Sequence, residues 1–348
     1  VNPLIRPGLA ALVMILASLN AQAAAQKVCV YDMMGASGDM FSMTKDYALA
    51  MQKLGANIVL KGYTDERLAI DDYRAGLCDA VITTAFRARQ FNRTAGAIDT
   101  LGATTIVRDG KIDMPGSYEV VRKLIQTYAS PAANTLMVDG DNEIGGTLPL
   151  GAAYPGLHDR RLTTVESLSG KRIAAFDHDK AQAIMIKRMG AVPVSADVTN
   201  FASKFNSGQL DMVAAPSMAY KPLELYRGIG DKGSIVRFPI MILTYQMILN
   251  RTRFPEGLGE QSRVYWLTQF DRALQFIRQA DNGIPPTTWV ELSPENAYKY
   301  SLMLRESRIE IAQQGVYDKR GLKVIKRVRC NVNPADPECS TKSEEEWR

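Results

Sequence analysis

Histidine is scarce in this chain: only His158 and His178 occur in 348 residues. A serine or cysteine nucleophile needs a nearby base, and two isolated histidines with no Gly-x-Ser-x-Gly elbow give hydrolytic chemistry little to work with. The glycine-containing stretch Gly35-Ala-Ser-Gly38 lacks the spacing and the lysine of a phosphate loop, and it is neither a dinucleotide nor a kinase fingerprint. Neither a second close cysteine pair nor a Cys/His cluster is present, which excludes a metal centre of recognisable spacing. The chain therefore reads as a protein without catalytic apparatus, cofactor or metal. One-signed charge is missing as well. The 42 Lys and Arg are interleaved with 37 Asp and Glu for a formal net charge of +5, so no basic stripe suits nucleic acid.

Long apolar runs are few: one stands at the start and another spans Phe238 to Leu249. Arg6, the apolar stretch Gly8 to Leu19 and the small residues Ala21 to Ala25 have the layout of a cleavable signal peptide over residues 1–25. An apolar run of about a dozen residues is too short for a membrane span, which needs roughly 20. Export to the periplasm is the expectation, and with it an oxidising environment in which disulfides persist. The four cysteines pair accordingly: Cys330 with Cys339 across a turn-rich loop, and Cys29 with Cys78, which lie in or beside the first and third predicted strands. For the second pair, two buried thiols packing as small hydrophobes are the alternative.

What is abundant is a repeated strand and helix unit. Lys27 to Asp32, Asn57 to Tyr63 and Asp79 to Thr84 read as strands. The helices between them carry Phe41, Ala48 and Met51, then Glu66 to Arg74. The same order recurs with strands Arg172 to Asp177, Val192 to Ser195 and Asp211 to Ala215, and helices Ala181 to Met189 and Phe201 to Asn206. Strand-helix alternation implies a mostly parallel sheet flanked by helices. Two such units imply two α/β lobes, each offering strand carboxyl ends to a shared cleft where ligands bind. The expected division is 26–150 plus about 240–285 for lobe 1, and 151–239 plus about 286–330 for lobe 2. A polar tail, 331–348, follows and is expected to be poorly ordered outside its disulfide loop. Asp139 to Gly156 should include the first crossing between lobes, and Phe238 to Leu249 should return as a strand. A helix starting at Ser293-Pro294 is marked by its cap and first-turn proline.

Three runs carry a family likeness: Leu168-Ser-Gly-Lys-Arg-Ile-Ala-Ala-Phe176, Met189-Gly-Ala-Val-Pro-Val194 and Phe205-Asn-Ser-Gly-Gln-Leu-Asp-Met-Val-Ala-Ala-Pro216. Together with Tyr245 to Leu258 they resemble the periplasmic solute-binding subunits of TRAP transporters. The likeness is strongest to a divergent subgroup, some members of which carry the description of RND-type efflux pump components. The resemblance implies a two-lobed periplasmic binding protein of class II type, a monomer that closes on a small-molecule solute and delivers it to membrane transporter subunits. An accessory role in multidrug efflux is the alternative it leaves open. One departure stands out. The arginine with which the family clamps a substrate carboxylate falls, in register, at Ala174.

Candidate ligand-binding residues follow from the geometry of strand ends. Asp32, Met33 and Met34 follow the first strand, and Thr83, Thr84, Phe86 and Arg87 follow the third. Phe176 and Asp177 end the equivalent strand of the second unit, with His178 beyond, and Pro216, Ser217 and Tyr220 follow its third strand. Tyr154 lies in the first crossing. Asp32 and Asp177 occupy equivalent positions and could approach one solute from opposite lobes, or each could cap the helix that follows.

Overall fold

The computed structural model describes residues 25–347, so the proposed signal segment lies outside the described residues apart from Ala25. The principal elements are, in chain order, β1 (Gln26–Tyr31), α1 (Asp39–Gln52), β2 (Ile58–Tyr63), α2 (Glu66–Arg74), β3 (Ala80–Thr84), α3 (Met114–Ala129) and β4 (Asn142–Leu157). They continue with β5 (Arg172–Phe176), α4 (Lys180–Arg188), β6 (Val192–Ala196), α5 (Phe201–Asn206), β7 (Met212–Pro216) and β8 (Met241–Asn250). Four helices, α6 (Leu258–Thr268), α7 (Phe270–Asn282), α8 (Pro294–Gln313) and α9 (Lys319–Val332), follow.

Both repeats fold as their alternation predicts. β1 pairs in parallel with β2 and β3, and β5 pairs in parallel with β6 and β7. Each triplet is crossed by right-sized helices, since parallel neighbours cannot be joined by a tight turn. The two triplets are fused through β8 and β4 into a single 11-stranded sheet whose main path runs β2-β1-β3-β8-β4-β7-β5-β6. β4 makes the join. Its first part pairs antiparallel with β8, and its last part, from Ala153 to Leu157, pairs antiparallel with β7.

The Gly- and Pro-rich crossing segment is thus a strand of 16 residues, buried from Ile144 onward. Its glycines serve close packing rather than looseness. A Cβ built on Gly146 would lie 2.1 Å from Cδ1 of Trp266, the buried indole of α6 that covers the strand. Gly151 has φ +133°, a conformation side chains disfavour, in the same stretch where the ladder with β8 shifts register between Leu243 and Thr244. Such an irregularity bends a strand, and here it does so between the halves that serve the two lobes.

Two expectations about the C-terminal third need correction. α9, grouped with lobe 2 from the sequence, packs instead on α3 and the Ala95–Asp99 segment of lobe 1, where Arg329 donates to the Ala103 carbonyl at 2.6 Å. α8 touches both lobes: Arg308 reaches the Leu101 carbonyl at 2.6 Å, while Glu306 and Glu310 pair with Arg188 of α4. The tail is also held in place. Glu344 is 1% exposed and pairs with Arg308 at 2.6 Å and Arg329 at 3.1 Å. Those pairs join residues far apart in sequence, so polar composition alone suggested disorder. Both expected disulfides form, Cys29–Cys78 and Cys330–Cys339, with Cα separations of 5.9 and 5.6 Å. Among the described residues, no helix is long and apolar enough to cross a membrane.

Candidate functional site

Between the two triplets, the carboxyl ends of β1 and β3 face those of β5 and β7 across a cavity closed behind by β8 and β4. Its first-lobe wall includes Tyr31, Met33, Glu66, Thr84 and Phe86. The second-lobe wall includes Ala174, Phe176, Met185, Phe201 and Pro216, and Tyr245 of β8 forms part of the floor. The cavity has a volume of about 80 Å³. Most of the lining is aliphatic or aromatic, as in sites that hold a small organic molecule by burial and orient it with a few polar groups.

Most of those polar groups come from the first lobe and the floor; the second lobe adds Gln182 of α4, whose Oε1 accepts from Phe176 N at 2.9 Å. Glu66 is 1% exposed although it sits in the first turn of α2, where a carboxylate is ordinarily solvated. Its Oε1 accepts from Thr83 Oγ1, Thr84 N and Thr84 Oγ1, each at 2.6 Å. Its Oε2 accepts from Nε of Arg87 at 3.2 Å. Three donors and a guanidinium offset the cost of burying this charge. The pair is locally neutral. Tyr31 and Tyr245 stand nearby with ring centroids 6.4 Å apart. Burial above all, and then the Glu66 charge, drives the Tyr31 phenol well above its usual range, and burial does the same to Tyr245. Both stay protonated in neutral solution, available as O–H donors.

Of the residues singled out from the sequence, Met33, Thr84, Phe86, Phe176 and Pro216 meet at this cavity. Arg87 stands behind it, holding Glu66 and facing a neighbouring space that also contains His178. Asp32, Met34, Ser217 and Tyr220 line a separate recess against α7. The idea that Asp32 and Asp177 approach one ligand is not met. Asp32 accepts from the backbone N–H of Met34, Met40 and Phe41 at 2.9, 2.9 and 3.3 Å, capping the start of α1. Asp177 is exposed and accepts from Ser195 Oγ at 2.5 Å, while Asp179 caps α4 by accepting from Ala181 N at 3.0 Å. Tyr154 is buried edge-on against Trp289, centroids 5.0 Å apart, on the far side of Pro216.

Sequence reading missed Tyr31, Glu66 and Tyr245. Tyr31 and Tyr245 look like ordinary strand residues, and Glu66 looks like a favourable first-turn acid. No local signal separates them from structural residues. Ala174, the position to which the register of the family resemblance assigns the arginine, lines the second-lobe wall.

A family model described as "Solute-binding protein AdeT 1/2" matches residues 48–344. The chain is 38% identical over 315 residues to a probable solute-binding protein, AdeT1, of Acinetobacter baumannii, spanning 90% of this chain and 100% of that protein. Among solved structures, a TRAP periplasmic solute binding protein from Shewanella oneidensis with bound succinate superposes with a TM-score of 0.68 at 12% identity, covering 88% of this chain and 98% of that one. Another, from Ralstonia eutropha H16 with bound (S)-2-acetolactate, gives 0.67 at 12% identity over 89% and 99%.

Proposed function

This chain belongs to the AdeT 1/2 family of solute-binding proteins, and on that premise we propose an exported, monomeric receptor that closes its lobes on a small organic solute and passes it to a membrane transporter. The part of the solute that is enclosed is apolar and uncharged. Ala174 carries this reading: by the register of the family resemblance it takes the place of the carboxylate-clamping arginine, its wall is lined by Ile173, Ala174 and Phe176, and among the described residues no Arg or Lys lines the cavity. Succinate and acetolactate, the ligands of the structural relatives, are carboxylates, and they would find no cation there. A carboxylate buried without a partner is strongly disfavoured. An orienting acceptor on the solute would meet Tyr31 or Tyr245. Turnover is not expected of this cavity, whose lining offers no histidine, cysteine, serine or lysine for nucleophilic or general-base chemistry.

Native mass spectrometry of protein taken from the periplasm, followed by thermal-shift screening of neutral and acidic solutes, tests the reading. A stoichiometric neutral or amphipathic molecule that raises the melting temperature, and is held at least tenfold less tightly by Phe176→Ala, supports it. Tight binding of a small dicarboxylate within this cavity, or no bound molecule in either experiment, would refute it.

A further inference from the structure

A second cavity of about 530 Å³ opens beside the first, on the other side of Phe86. Its lining is of a different kind. Arg74, Arg87, Arg89, Arg93, Lys180 and His178 face it, with Asp179 and Asp318 as the acidic groups. The arginines belong to the first lobe and the 178–180 turn to the second, so the space straddles the cleft.

Much of the acid is already committed. Asp318 caps α9, accepting from Gly321 N at 2.6 Å, and also accepts from Thr94 Oγ1 at 3.2 Å. Asp179 accepts from Ala181 N and stands 3.5 Å from Nη1 of Arg89. Arg89 itself donates to the Gly96 and Asp99 carbonyls at 3.0 and 2.7 Å. Arg87 uses Nε for Glu66, and Arg93 donates one Nη to the Gly315 carbonyl. Among the described residues, no carboxylate lies within ion-pair distance of Arg74, Arg93 or Lys180, and all three are exposed. Both ring nitrogens of His178 are buried without a hydrogen-bond partner. Lys180 is the first residue of α4, so the positive end of that helix adds to the field.

We propose that this cavity is a binding site for a small oxyanion, a carboxylate or a phosphate, held between Arg87 and Arg93 of the first lobe and His178 and Lys180 of the second. An anion there would accept from the spare guanidinium N–H groups, the lysine and the imidazole N–H, and by touching both lobes it would favour the closed form. The state of His178 agrees: burial, then the charges of Arg87 and Arg89, outweigh Asp177 and Asp197 and hold its pKa near 4, so the ring is neutral and has one N–H to give. Because Phe86 borders both cavities, the oxyanion is either a free ion or the acidic head of a solute whose apolar part fills the first cavity. Binding of a neutral solute in the first cavity does not depend on this site.

Calorimetric titration of the mature chain at low ionic strength with inorganic phosphate, succinate and octanoate tests the site, together with proton NMR of His178. Saturable 1:1 binding by at least one of these is expected. It should weaken tenfold or more in Lys180→Ala, and further in Lys180→Ala with Arg93→Ala, while the His178 titration moves up by about one pH unit on saturation. Binding by octanoate alone assigns the site to the head of an apolar solute; binding by phosphate or succinate assigns it to a free anion. Lys180 is exposed, so its single variant serves if Arg93→Ala disturbs the fold. Absence of saturable binding by all three overturns the proposal, as does an equal loss in the control Lys342→Ala or a His178 titration that stays in place.

Discussion

At the scale of single residues, Glu66 shows how the cavity is organised. One buried carboxylate fixes both hydroxyls that end β3 and the arginine behind them, so its removal leaves Arg87 facing an uncompensated interior. Glu66→Ala should cost about 3 kcal/mol of stability, as expected for breaking a largely buried pair, measured by urea unfolding. Glu66→Gln, which keeps an acceptor for the threonines, should cost less. His178 carries a pH signature. Its folded-state pKa is lowered to about 4 from 6.5, so the stability of holding it neutral is fully present above pH 6.5 and lost as pH falls through 4. The loss should reach about 3 kcal/mol. Unfolding free energies from pH 7 to 4 should fall more steeply in the unaltered chain than in His178→Gln, and parallel curves would contradict the assignment.

At the scale of elements, β4 and the C-terminal segment depart furthest from what composition suggests. Glycine and proline are usually read as breakers, yet in β4 the glycines let α6 lie directly on the sheet, with Trp266 where side chains would otherwise stand. The tail looked solvated because it is rich in glutamate. Glu344 nevertheless has its pKa lowered to about 2: burial acts against the charge, and Arg308 and Arg329 overcome it. Truncation after Ser340 would leave those two guanidinium groups buried without Glu344, and should cost roughly 3–5 kcal/mol. Thermal denaturation of the truncated chain, with Cys330–Cys339 intact, checks this separately from the disulfide. A melting temperature unchanged within a degree would mean that the network contributes nothing.

Two strands join the halves of the whole molecule. β4 and β8 run continuously from one lobe to the other, and the bulge near Gly151 and Leu243 lies between the parts that serve each lobe. Across the mouth, Arg89 of the first lobe faces Asp179 of the second at 3.5 Å, with side chains 13% and 3% exposed. Asp179→Asn keeps an acceptor for the α4 cap and removes the charge. It should increase the open population, seen as a larger radius of gyration by small-angle scattering without ligand, and should speed solute release. An unchanged radius in the ligand-free variant would show that the pair does not hold the lobes together.

The repeat itself was legible in the sequence because it is written in local terms: apolar strands, amphipathic helices, and glycines where helices stop. From that order the two-lobed parallel architecture follows, and strand ends facing the cleft yielded Met33, Thr84, Phe86, Phe176 and Pro216. Register from Leu168-Ser-Gly170 also drew attention to Ala174, which lines the cavity wall. What tertiary structure alone decided are the long-range pairings. Glu66 with Arg87, Glu344 with Arg308 and Arg329, and the gathering of Arg93, His178 and Lys180 around one cavity join segments whose separation in the chain carries no periodic signal. Burial of a charge depends on which partner arrives from elsewhere, and that is settled only when the lobes and the C-terminal helices pack together.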